Sequence, residues 1–267
     1  MIKMEQNLKG VPETQLVTLW ARAAETKYDE PIIKDEKAIE IVNKINYDFS
    51  KFDKDWLTQI NVAVRTEILD KATKAFINKY PDAVIINLGC GLDTRFSRLD
   101  NDKIHWYDLD LPESISIRKQ FFNDDKRYKM IPKSVFDYSW IDDIASTNNP
   151  VLIIIEGLLI YFSEQEVKNL INKLVAKFEG ADILFTMITP EIVKRESTHG
   201  IFGKMGAKFQ WGIKKGEEME KYNSKIKFIE EWIYMDYHKS RWKMFRWLSL
   251  IPGFKSKFSN RIVHLKA

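Results

Sequence analysis

The chain has 267 residues, room for one large domain or two small ones, and its 45% hydrophobic and 13% aromatic content supports a buried core and excludes a disordered chain. Its 42 basic and 38 acidic residues leave a net charge near +4, so the overall balance gives no case for nucleic-acid or membrane binding. A single cysteine excludes an internal disulfide framework, no charged-then-apolar leader opens the chain, and the longest apolar run (151–162, broken by Glu156) is well short of the roughly 20 residues that span a bilayer; a cytoplasmic protein without an integral membrane segment is expected.

Residues 11–45 read as helices that cover the open end of a sheet. From 57 to 80, apolar residues recur at Ile60, Val64, Ile68, Ala72, Ala75 and Phe76, the spacing of one helical face. Strands are predicted at 83–88, 104–109, 128–132 and 151–155, the last an unbroken apolar run suited to a strand buried on both faces. Ser163 stands three residues before Glu166 as a capping box, and Val167, Leu170, Ile171, Leu174 and Phe178 form a helical stripe that stops at Gly180. A fifth strand follows at 183–188. Residues 191–216 show no clear period and read, with the stretch to 225, as a lid or insert, and two late runs, 226–235 and 260–266, read as a final pair of strands. Strands alternating with helices predict an α/β chain with a doubly wound parallel sheet. One domain over 1–267 is expected, with 1–56 as a helical cover and 191–225 as the lid.

At the end of the first strand an apolar run breaks into Asn87-Leu88-Gly89-Cys90-Gly91-Leu92-Asp93-Thr94-Arg95. Gly89 and Gly91 allow backbone angles and a close ligand approach that a side chain would block. An acid about 20 residues further on can accept both hydroxyls of a ribose, and Asp110, at the carboxyl edge of the second strand, fills that place with Asp108 as its competitor. Thr94 stands where a dinucleotide fingerprint has its third glycine, which disfavours an NAD-dependent oxidoreductase, and the absence of a Walker lysine disfavours a phosphate-loop ATPase. In an open parallel sheet the ligand lies at the carboxyl ends of the strands, and there the chain places Gly89, Gly91, Asp93, Asp110, Asp137, Glu156, Gly157 and Tyr161.

In order and spacing, the 87–95 turn, Asp110-Leu111-Pro112-Glu113, Asp137 with Trp140, and Glu156-Gly157-Leu158-Leu159-Ile160-Tyr161 resemble the leucine carboxyl methyltransferase family, within it the bacterial branch of polyketide-type O-methyltransferases of small molecules. The segments 205–209 and 261–265 extend the likeness over nearly the whole chain. The resemblance implies a class I, Rossmann-like methyltransferase fold with seven strands, the last antiparallel, and S-adenosylmethionine as cofactor. It implies that Gly89, Gly91 and Asp93 form the cofactor turn, that Asp110 holds the ribose, and that Asp137 and its neighbours meet the adenine amine. It further implies that Arg65, with Arg22 as a second basic position, pairs with the cofactor carboxylate, and that Glu156 lies near its ammonium. An arginine fork and a carboxylate are the natural partners of such a zwitterion.

The acceptor implied is a carboxyl or hydroxyl group on a small, polyketide-like molecule. Methylation of a protein C-terminal carboxylate and a non-catalytic cofactor-binding module are the alternatives. A carboxylate acceptor needs no base; for a hydroxyl, Tyr161, His199 or His238 is the candidate base. Cys90 reads as the small residue a tight turn needs, and four scattered histidines with one cysteine give no metal site. The stretch 239–267 carries lysines and arginines without one acid, interleaved with Trp242, Phe245, Trp247, Phe254 and Phe258. Its aromatics are expected to pack on the sheet while its charges face water, with a surface for an anionic substrate or membrane as the alternative.

Overall fold

The structure, a computed structural model, describes residues 3–144, 148–199 and 201–267. Three helices precede the sheet: α1 (Thr14–Thr26), α2 (Glu36–Lys44) and α3 (Trp56–Lys79). Asp35 and Asp55 start the second and third of these, each side chain accepting a hydrogen bond from a first-turn N–H, of Ala38 and Thr58 respectively. Leu16, Leu19, Ile41, Ile60, Val64 and Ile68 recur at helical spacing and bury the facing sides of the three helices in one cluster.

Strands and helices then alternate as β1 (Val84–Leu88), α4 (Arg95–Leu99), β2 (His105–Asp110), α5 (Pro112–Arg118), β3 (Tyr128–Pro132), β4 (Val151–Ile155), α6 (Glu164–Lys177) and β5 (Asp182–Met187). The chain continues through α7 (Pro190–His199), α8 (Ile201–Lys204), β6 (Lys227–Ile233), α9 (Phe245–Leu248), α10 (Phe254–Phe258) and β7 (Arg261–Lys266). Among the described residues the sheet has seven strands in the order β3-β2-β1-β4-β5-β7-β6. The pairs among the first five are parallel, with Val84 opposite both His105 and Val151, and β7 runs antiparallel between β5 and β6. This is the sheet expected from the sequence, last strand included.

Along β4, Leu152 and Ile154 join the cluster under the N-terminal helices, while Ile153 and Ile155 face the cluster built on α6. A strand with both faces covered has no place for polar alternation, which is why its run is unbroken. Each such buried Ile contributes about 1.5–3 kcal/mol by leaving water. The Ser163–Glu166 capping box is present in full at the start of α6. The strand order reverses between β1 and β4, so their carboxyl ends, with the turns at 89–91 and 156–158, open a crevice.

Two expectations change. Residues 191–216 are helical in their first part: Thr189 and Pro190, a cap residue followed by a proline whose fixed φ suits a first turn, open α7, with the Val193 N–H donating to the Thr189 carbonyl. The aromatics of the C-terminal stretch only partly pack inward, because Trp242 is buried whereas Trp247 is 65% exposed.

Candidate active site

A cavity of about 500 Å³ opens at the carboxyl ends of β1, β2 and β4 and extends between the N-terminal helices and the segments after β5. Its inner wall is the turn after β1. Gly89 has φ +68° and Gly91 φ +46°; a Cβ on Gly89 would stand 2.9 Å from the Leu158 side chain, and one on Gly91 3.0 Å from the Gln15 Cβ. Both the backbone angle and the space therefore demand glycine. Asp110 fixes the turn from below, its Oδ2 accepting from the Gly91 N–H at 2.7 Å and its Oδ1 from the Leu111 N–H at 2.7 Å. Burial pushes the Asp110 pKa up, and those N–H groups only partly offset it.

Buried arginines hold the same turn from above. Arg118 donates to the Gly91 and Asp93 carbonyls at 3.0 and 2.6 Å and pairs with Asp108, while Arg22 donates to the Leu92 carbonyl at 2.7 Å and pairs with Asp35. Three successive carbonyls are thus satisfied by guanidinium groups. Asp108, the competitor of Asp110 in the sequence, is occupied by Arg118, Tyr128, Trp106 and Asn87 and is fully buried. Asp93 accepts from the Arg95 backbone N–H and ion-pairs with its guanidinium. Burial alone would raise the Asp93 pKa, but the fields of Arg95, Arg98, Arg22 and Arg118 reverse this and hold it below the usual carboxylate range.

Glu156 lies between two arginines, with Oε2 accepting from the Arg95 Nη2 at 2.7 Å and Oε1 at 2.6 Å from the Arg65 Nε. Burial again pushes its pKa up, and Arg65 and Arg95 bring it below its ordinary value. The contact with Arg65 is an ion pair without hydrogen-bond alignment, because the Arg65 Nε remains unpartnered. Its guanidinium also borders the open side of Gly157, where an added Cβ would come 3.3 Å from Nη1. Among the described residues, four buried side-chain atoms without a hydrogen bond belong to residues that line this cavity: Gln15 Oε1, Arg65 Nε, Asn87 Oδ1 and the Tyr234 hydroxyl. The Asn87 amide is oriented by Asp93 and Asp108, which both accept from its Nδ2 and so leave Oδ1 free. Buried polar groups are rarely left unpaired unless a ligand or water completes them.

Arg22, Arg65, Gly89, Gly91, Asp93, Asp110, Glu156 and Tyr161 all line the cavity. Asp137 does not: it is exposed, and its carboxylate caps the following helical turn by accepting from the Ser139 N–H and hydroxyl. Ser134, Val135 and Phe136, just before it, form the lining there instead. His238 is also outside the lining and pairs with Glu67 of α3 at 2.7 Å. His199 falls at the end of α7, and its side chain lies outside the described residues. Tyr161 donates weakly to the Thr14 hydroxyl at 3.3 Å, and burial pushes its pKa up to about 12. Burial likewise pushes the Cys90 thiol up, in keeping with a small turn residue. Among the described residues no group of His, Cys, Asp and Glu side chains could hold a metal.

The family model for leucine carboxyl methyltransferases matches residues 15–175, from α1 through α6, a span that carries the whole glycine turn and the arginine–carboxylate pairs around it. The chain belongs to the leucine carboxyl methyltransferase family. It is similar to the tetracenomycin polyketide synthesis O-methyltransferase TcmP of Streptomyces glaucescens, 31% identical over 86% of this chain and 85% of that protein. It is also similar to the S-adenosyl-L-methionine-dependent methyltransferase dpfgK of Gibberella zeae, 28% identical over 85% of this chain and 84% of that protein. Two solved structures share its fold. A DUF574-family protein from Streptomyces avermitilis superposes with a TM-score of 0.64 at 8% identity, covering 97% of each chain. The magnesium protoporphyrin IX methyltransferase of Synechocystis PCC 6803, solved with S-adenosylhomocysteine, superposes with a TM-score of 0.50 at 10% identity, covering 86% of this chain and 93% of that one.

This family member is an S-adenosylmethionine-dependent methyltransferase with a class I fold. The polar groups that line the cavity fit that cofactor: a carboxylate suits Arg65 and an ammonium suits Glu156 and Asn87, where Arg65 Nε and Asn87 Oδ1 lack hydrogen bonds, and vicinal hydroxyls suit the Asp110 carboxylate. Sequence reasoning missed Gln15, Asn87, Arg95, Arg118 and Tyr234. Asn87 was legible as the last polar residue of an otherwise apolar strand; the other four carry no local signal, since their roles depend on partners distant in the chain.

Proposed function

We propose that this methyltransferase acts on an oxygen of a small, largely apolar molecule that is already ionised when it binds, a carboxylate or an acidic hydroxyl. The observation that supports this is the apolar part of the cavity lining, to which Leu57, Val62, Ile188, Phe202, Phe209 and Phe258 contribute. No histidine lines it among the described residues, and its Tyr161 hydroxyl, with a pKa near 12, is a poor base at neutral pH. An acceptor oxygen that already carries charge needs no proton removed.

The cofactor carboxylate would pair with Arg65, its ammonium with Glu156, and its ribose hydroxyls with Asp110. Arg22 and Asp93 would act on the turn rather than on the ligand, because their charges are used within the chain. Adenine would lie against Val135 and Phe136, with the Asp137 carboxylate turned away. When bound, S-adenosylmethionine supplies an electrophilic methyl group on a sulfonium. The apolar wall excludes water and fixes the acceptor angle, and Tyr161 remains protonated as a hydrogen-bond donor to the acceptor oxygen.

The polyketide-type relative favours a small-molecule acceptor over a protein C-terminus. The test is transfer from methyl-labelled cofactor to a panel of aromatic carboxylic acids and phenols, followed by alkaline hydrolysis. Label released by base marks an ester, and label that survives marks an ether. Label recovered only on protein, or none on any member of the panel, overturns the proposal.

A further inference from the structure

We propose that residues 243–258 form a surface that docks on an anionic lipid bilayer beside the cavity. Met244, Trp247, Leu250 and Ile251 are 64%, 65%, 73% and 54% exposed, four large apolar side chains within eight residues. Trp247 lies in α9, Met244 immediately precedes it, and Leu250 and Ile251 stand in the turn that leads to α10, with Phe245 anchoring the segment against Trp56 and Phe254. Soluble surfaces seldom cluster large apolar groups this way without something that covers them.

Charge indicates what covers these. Residues 239–267 contain eight lysines and arginines and no acid. Arg241, Lys255, Arg261 and Lys266 are paired with Glu25, Asp236, Glu231 and Asp182. Lys239, Lys243, Arg246 and Lys257 have no carboxylate partner among the described residues, and Lys243 and Arg246 lie over the Trp56 and Trp247 rings. Exposed tryptophan and leucine flanked by unpaired cations match the layering of a bilayer interface, where acyl chains take the apolar groups and headgroups the charges. A second copy of the chain is disfavoured, since two such surfaces would face each other with like charge.

The surface also reaches the cavity. Phe245 and Phe258 from this segment line it, and Phe258 is 38% exposed. Docking does not depend on the methyl-transfer reading. Its consequence, that an apolar acceptor reaches the cavity from lipid, does rest on that reading.

The test is co-sedimentation of the full chain with phosphatidylcholine vesicles and with vesicles that also contain phosphatidylglycerol, at low and at raised salt. Pelleting with the anionic vesicles alone, weakened by salt, is expected. The double variant Trp247→Ser/Leu250→Ser should lower the partition constant tenfold or more, and Arg246→Gln and Lys257→Gln about fivefold each. Calorimetric affinity for S-adenosylhomocysteine should stay unchanged in all of them, which shows intact folding and keeps a failure of docking distinct from a failure of the methyl-transfer reading. No pelleting at low salt, equal pelleting with both vesicles, or pelleting indifferent to these substitutions overturns the proposal. So does a dimer in sedimentation velocity that Trp247→Ser abolishes, which would assign the patch to a second copy.

Discussion

Asp110 is the residue whose chemistry is most directly testable. Hydrogen bonds to an ionised group are worth about 1.5–3 kcal/mol, so Asp110→Ala should weaken S-adenosylhomocysteine binding by about tenfold to a hundredfold in calorimetry. Ribose hydroxyls bind the ionised carboxylate, so protonation of the free protein competes with them. Since the Asp110 pKa is raised above 3.8, affinity should be level at neutral pH and decline as pH falls through that raised value. Tyr234 tests a different point. Its buried hydroxyl has no well-formed hydrogen bond, although Thr186 lies close enough to influence its pKa. Tyr234→Phe should leave the melting temperature unchanged or higher while lowering kcat/KM; a variant of full activity would show that the hydroxyl serves no ligand. Asp110 was legible in the sequence because its spacing from the glycines is local. The turned-away Asp137 was not, because the hydrogen bonds that cap a turn with Ser139 compete for the same carboxylate.

At the scale of elements, the turn between β1 and α4 is where left-handed glycine backbone and buried charge meet. Gly91→Ala places a Cβ at positive φ and against Gln15, and should cost about 1–3 kcal/mol in urea unfolding together with most of the cofactor affinity. Arg95 joins α4 to α3 and β4 through Asp70, Asp93 and Glu156, with its side chain fully buried. Arg95→Met leaves those carboxylates without their common cation and should destabilise the fold by about 3–5 kcal/mol, measured by the same unfolding. The sign with pH follows from the depressed values of Asp93 and Glu156. Their stabilisation is complete above their ordinary values of 3.8 and 4.5 and is lost as the pH falls through the lower folded values, so thermal melts should hold steady to about pH 5 and drop below it. The strands and α6 were legible as elements because their periods and caps are local, whereas α7 was missed because residues 191–216 show no clear hydrophobic period.

For the whole molecule, cofactor binding and folding are linked. S-adenosylhomocysteine at a hundredfold excess over its dissociation constant should raise stability by about 2.7 kcal/mol, and a melt that does not move would mean that the ligand does not select the folded cavity. Chain-local signals in the sequence determined the α/β class, the glycine turn, the carboxylate that follows it and the family, since backbone angles, strand periods and short motif spacings are set within a few residues of themselves. Only the tertiary structure decided which charges remain available. Arg22, Arg65 and Arg95 are alike in sequence, yet Arg22 is consumed by Asp35 and Leu92 and Arg95 by three carboxylates, while Arg65 lines the cavity with Glu156 as its one ion-pair partner among the described residues and with its Nε left without a hydrogen bond. A guanidinium is free for a ligand only where the fold brings it fewer acceptors than it has donors, and that balance is set by residues far apart in the chain.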